Sequence, residues 1–156
     1  KSTITYGTSD ADKKTLEVPV EEGEKFKGES MHMYRARLTD LTPGTTYTYK
    51  VETEDGQTMD GHFRTLPENS NEIRFVVVSD SHRFETATKV SDVIAQFDPD
   101  FILHTGDMVE GTGSQKDQFP YWFQNVGSFL HNVPVIYNSG NHDYGVYFDE
   151  YAEGAV

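Results

Sequence analysis

From residue 73 to residue 137 the chain repeats one alternation: apolar run, helical spacing, apolar run, helical spacing, apolar run. Residues 73–78 are apolar apart from Arg74 and largely β-branched, as expected of a strand buried on both faces after its first residues. Val90, Val93, Ile94 and Phe97 follow at helical spacing and are stopped by Asp98 and Pro99. Residues 101–104 read as a second buried strand, Trp122, Phe123, Val126, Phe129 and Leu130 as a second helix, and residues 133–137 as a third strand. Strands joined through helices run parallel, because each crossover returns the chain to the same end of the sheet. In such sheets the loops leaving the carboxyl ends of the strands gather at one edge, and ligands collect there.

Each apolar run delivers polar residues to that edge. Asp80, Ser81 and His82 follow the first, Gly106 and Asp107 the second, and Gly140, Asn141, His142 and Asp143 the third. Carboxylate, imidazole and amide oxygen suit Mn, Fe or Zn, and placing them on successive strand ends lets them converge on one point. A single Asp/His pair or Gly-Asp turn is a weak signal. Three of them at three consecutive strand ends form a strong one. The chain has no cysteine, so any ion must sit on His, Asp, Asn or Glu.

Charge supports the same reading. The formal net charge is −13, and residues 71–156 hold only four Lys or Arg against 13 Asp or Glu. Such a surface repels nucleic-acid backbones and acidic membranes, and a site here for an anionic substrate must recruit cations. No apolar stretch approaches the ~20 residues of a membrane-spanning helix.

The first 65 residues are written differently. Residues 2–6 alternate, residues 31–38 place Tyr34, Ala36 and Leu38 on one face, and residues 46–52 place Tyr47, Tyr49 and Val51 on one face. Pro43 and Gly44 make a tight corner, and Tyr47 is placed to fold its hydroxyl back onto that corner's backbone, as in immunoglobulin-like sandwiches. Phe63, Arg64 and Thr65 close a last strand. Glu68, Asn69, Ser70 and Asn71 form a polar linker, giving a β domain over residues 1–67 and an α/β domain over residues 72–156.

With Tyr6, Gly7, Thr8 and Ser9 as a strand-and-turn phrase, the first stretch resembles a fibronectin type III-like module, specifically the N-terminal domain of purple acid phosphatases. A complete module runs to about 100 residues and seven strands, so one or two strands are expected to be missing. The order Asp-x-His, Gly-Asp, Gly-Asn-His-Asp resembles the calcineurin-like metallophosphoesterase superfamily. The expected fold class is therefore multidomain, β then α/β: an incomplete sandwich followed by the first βαβαβ half of a metallophosphoesterase α/β sandwich.

The resemblance implies two divalent transition metal ions, with Asp80 and His82 on the first, Asp107 shared and Asn141 on the second. It implies a phosphate ester as substrate, His142 as the group that protonates the leaving oxygen or stabilises the transition state, and Asp143 as its orienter. It further implies a secreted, periplasmic or cell-surface protein. Purple acid phosphatases carry a tyrosine ligand where this chain has Glu110, and they lack the histidine found here at His82, so their charge-transfer colour is not expected. Relatives also supply later histidines, whereas none follows His142 here. The chain is thus expected to need a C-terminal half, or another chain, to complete its site. The competing reading is a non-catalytic binding or adhesion module with a truncated phosphoesterase fold.

The remaining residues of interest carry plainer expectations. His104, three residues before Asp107, reads as a hydrogen-bonded strand histidine in preference to a group supporting a metal ligand, and Trp122 and Phe123 as core in preference to the lining of a substrate cleft. His32, His62 and His131 read as surface or edge residues, while Arg83 reads equally as a substrate-phosphate contact or a solvated side chain.

Overall fold

The chain divides into two compact units, residues 1–68 and 69–156. The computed structural model describes residues 1–20, 34–82, 85–110 and 115–143, with the backbone alone for 115–117. His32 and Arg83 lie outside the described residues.

The first unit is an antiparallel sheet of β1 (Ser2–Gly7), β2 (Lys14–Val18), β3 (Thr46–Thr53) and β4 (Thr58–Arg64), in the order β2-β1-β3-β4. Alternation along β3 turns Tyr47, Tyr49 and Val51 to one side. Tyr47 is buried and stacks on its cross-strand partner Phe63, with ring centroids 5.4 Å apart. The Thr42 N–H donates to Tyr47 Oη at 2.9 Å, closing the corner that Pro43 and Gly44 (φ 62°) turn. The Tyr6–Ser9 phrase ends in a turn organised by Asp12, whose carboxylate accepts from the main chain and hydroxyls of both Thr8 and Ser9. These bonds, the Thr8 hydroxyl foremost, hold the Asp12 carboxyl well below the usual carboxylate range.

The strand expected over residues 31–38 is not observed where it is described. Tyr34 makes one antiparallel bridge to Val20, and residues 35–38 join no ladder. Arg35, Ala36 and Arg37 are all exposed, so the alternation has no buried face to specify it. The strand β2 has almost no buried face to announce it, since four of its five residues are exposed.

In the second unit β5 (Phe75–Val78), β6 (Phe101–His104) and β7 (Val135–Tyr137) form a parallel sheet in that order. Helices α1 (Glu85–Gln96), α2 (Gln115–Asn125) and α3 (Gly127–Leu130) share one core with the face carrying Val76, Val78, Ile102, Val135 and Tyr137. Trp122, Phe119 and Phe129 fill it, as expected for Trp122.

Several details correct the sequence reading. The strand β5 is not buried on both faces: Phe75 and Val77 are 53% and 56% exposed, because all three helices lie on the other side. Phe75 instead stacks on Phe101, with centroids 5.2 Å apart and planes 1° apart. Helix α1 forms where expected, but its buried stripe is Ala87, Ser91 and Ile94, whereas Val90, Val93 and Phe97 face outward. Small side chains at 87 and 91 let the helix settle against α3, which the bulkier neighbouring stripe would hold off. The second helix is two: α2 contains Pro120, and Val126 (φ −103°, ψ 13°) separates it from α3. The strand β7 begins after Pro134, which has no N–H for the ladder, although its carbonyl accepts from Ile102 at 2.9 Å.

Candidate metal centre

The loops after β5 and β6 are bonded edge to edge. The Asp80 N–H donates to Gly106 O and the His82 N–H to Asp107 O, both at 3.1 Å. Asp80, His82 and Asp107 all adopt left-handed backbone, with φ of 51°, 44° and 57°. An L-residue adopts that conformation at a cost and keeps it only where its surroundings over-determine it. The result is convergence: one ligand atom from each of the three lies within 4.8 Å of the others.

The two histidines at this point have fixed tautomers. His82 Nδ1 lies 3.0 Å from Val109 O, and His142 Nδ1 lies 2.7 Å from Glu110 O. A carbonyl only accepts, so each Nδ1 carries a proton, and in the neutral ring the lone pair is on Nε2. The rings meet edge to face, with centroids 5.4 Å apart.

The third loop is locked to the second. The His142 N–H donates to Asp107 Oδ1 at 2.8 Å. Asp143, 1% exposed, accepts from the N–H groups of Met108 (2.8 Å), Val109 (3.0 Å) and Gly140 (3.1 Å). Its carboxylate is thus taken up by the backbone of two loops. Asn141 is exposed between Gly140 and His142, whose amides are both anchored. The glycines are required by proximity: a Cβ on Gly106 (φ 115°) would stand 2.3 Å from Gly140 N, and one on Gly140 would stand 2.2 Å from Asp107 Oδ1.

His104 is a hydrogen-bonded strand histidine, as expected. It is fully buried at the end of β6, with Nε2 2.8 Å from Ser81 Oγ and Nδ1 accepting from the Gly106 N–H at 3.2 Å. Trp122 Nε1 donates to the same Ser81 Oγ at 2.7 Å. Burial pulls the pKa of His104 down to about 4, although the charges of Asp143, Asp80 and Asp107 oppose it. Its place at the end of β6, three residues before Asp107, was the available signal.

Two carboxylates and an imidazole at this spacing match the donor set that first-row divalent ions take. The family model for calcineurin-like phosphoesterases matches residues 73–155. The chain belongs to that family. Asp80, His82, Asp107, Asn141 and His142 all fall inside the matched span. A second family model, the N-terminal domain of purple acid phosphatases, matches residues 1–65. A solved structure described as that of PhoD aligns with a TM-score of 0.57 at 16% identity, covering 91% of this chain and 32% of that one. That likeness concerns the fold alone, and the chain spans about a third of the length of its structural neighbour. No curated protein matches the sequence significantly.

Proposed function

We propose that this calcineurin-like phosphoesterase chain carries the first half of a metal-dependent centre for hydrolysing phosphate esters. Asp80 and His82 Nε2 would hold one divalent ion, Asp107 would be shared, and Asn141 would serve a second. Ions bound there would neutralise phosphoryl oxygens and acidify a water. The observation that carries this reading is the meeting of Asp80, His82 and Asp107 within 4.8 Å, beside a His82 ring whose proton is held on Nδ1.

His142 would act on the leaving group. With Nδ1–H engaged by Glu110 O, the ring would have to be doubly protonated for Nε2 to give a proton to the ester oxygen as the P–O bond breaks. Asp143 would serve it indirectly, by fixing the loop on which it sits. Among the described residues the second ion has only Asp107 and Asn141, so we place the missing ligands in a C-terminal half or another chain.

The same completion would account for the uncovered sheet face. Parallel sheets are ordinarily covered on both sides, and Phe75 and Val77 lie open. We read this as the first βαβαβ half of an α/β sandwich, and the sheet of residues 1–67 as one layer of a fibronectin type III-like module. The proposed secreted or cell-surface location rests on the family resemblance alone. Among the described residues no helix is long and apolar enough to cross a membrane.

The shortage of ligands for a second ion favours one other reading, a non-catalytic binding module. Hydrolysis of a chromogenic phosphate ester by the completed protein with added Mn²⁺ separates the two. Turnover that Asp107→Ala abolishes supports the enzyme; turnover indifferent to that change defeats it. The isolated chain is expected to show little or no catalysis.

A further inference from the structure

His104 touches both loops that carry the converging ligands, one ring nitrogen to each. Its Nδ1 accepts from the N–H of Gly106, the residue before Asp107. That bond leaves the proton on Nε2, which therefore donates to Ser81 Oγ, the side chain between Asp80 and His82. Trp122 Nε1, from α2, donates to the same oxygen and stands edge-on to the His104 ring, with centroids 5.5 Å apart. Ser81 is thus held by two donors from the core while the residues on either side of it adopt left-handed backbone.

We propose that His104, with Ser81 and Trp122, is a positioning group that sets the spacing between the Asp80–His82 loop and Asp107. This inference rests on the reading of those residues as a metal centre. The physical case is one of over-determination. Two main-chain bonds zip the loops together, but neither fixes how the Asp80 and His82 side chains are aimed. An anchored Ser81 does, because rotation of the 80–82 turn would pull its hydroxyl from both donors inside a packed core, where unmade bonds are costly. The imidazole suits the task because it accepts at one nitrogen and donates at the other, across the width of one ring. A carboxylate could not donate, and an aliphatic side chain could do neither.

The test uses the 156-residue chain and Mn²⁺ alone, titrated calorimetrically at a temperature where circular dichroism shows every variant folded. Ser81→Ala and His104→Leu are expected to bind Mn²⁺ about 10-fold more weakly, the order seen when a group supporting a metal ligand is lost. Ser81→Thr, which keeps the hydroxyl, should restore binding to within about 3-fold. Trp122→Phe, which keeps an aromatic side chain but loses the indole N–H, should fall between. Unchanged affinity in both Ser81→Ala and His104→Leu overturns the proposal, as does equal weakening by Ser81→Ala and Ser81→Thr. Asp107→Ala in the same series keeps the two claims apart. If it still binds Mn²⁺ normally, the metal-centre reading itself fails; if it loses binding while the Ser81 and His104 variants do not, only the positioning role fails.

Discussion

The His142 N–H donates to Asp107 Oδ1 at 2.8 Å, so one carboxylate both faces the ligand cluster and holds the loop that carries the histidine. The two duties can be separated. Asp107→Asn retains an oxygen that can accept the N–H but loses the charge, whereas Asp107→Ala loses both. Mn²⁺ affinity should drop in either variant by more than the about 10-fold expected for a supporting contact. Hydrogen exchange at the His142 amide should stay slow in Asp107→Asn and become fast in Asp107→Ala. Equal protection in the two variants would show that the loop is held by other means.

Gly106 and Gly140 tolerate no side chain. A methyl group at either would fall within 2.3 Å of main-chain or Asp107 atoms. Alanine at each should cost about 2–3 kcal/mol in urea unfolding, with Gly106 the worse because its φ of 115° is strained for any L-residue. Gly56→Ala is the comparison: its φ is 85°, but nothing lies within 4 Å of the added Cβ. It should cost only about 1 kcal/mol, the backbone term alone. Equal losses at all three positions would rule out the crowding argument.

Acid should act through His104. Its pKa lies at about 4 in the native chain against an ordinary 6.5, because burial disfavours the charged ring. The unfolded chain therefore takes up the proton first. The stability gained by holding the ring neutral is whole above about pH 6.5 and drains away as the pH falls toward 4. A shift of this size corresponds to about 3 kcal/mol. His104→Gln, which cannot titrate, should flatten that part of the stability curve. If the curves of the two proteins run parallel from pH 6.5 to 4, another group is responsible.

Tyr47→Phe removes the acceptor of the Thr42 N–H and leaves the ring stacked on Phe63. The expected loss is about 1 kcal/mol, read from denaturant unfolding. The Mn²⁺ titration should be unaffected, since the corner belongs to the first compact unit and the ligands to the second. Altered Mn²⁺ binding in Tyr47→Phe would contradict that independence.

The legible parts of this molecule were those where a local pattern had a local cause. Residues 101–104 and 135–137 are apolar and sheet-bound, and Asp80, His82 and Asp107 converge because parallel strands deliver their loops to one edge. What could not be read depended on partners distant in sequence. Val90, Val93 and Phe97 looked like the inner stripe of α1, yet Ala87 and Ser91 are inside, because small side chains allow closer packing and hydropathy alone does not register fit. The exposure of Phe75 and Val77 follows from all three helices packing on one side of the sheet, which no single segment encodes. His104 is the hydrogen-bonded strand histidine its position predicts, but its partners, Ser81 and the Gly106 N–H, could not be named from the sequence, Ser81 being 23 residues away.

The left-handed turns at Asp80, His82 and Asp107 set chemistry against comfort. Glycine would sit in any of these places with less backbone strain, by on the order of 1 kcal/mol. At His82 and Asp107 it would also lose the bonds to Val109 O and the His142 N–H, so only at exposed Asp80 does the relief stand largely unopposed. A search for sturdier variants guided by melting temperature alone would favour Asp80→Gly and return a hardier polypeptide with an empty grip.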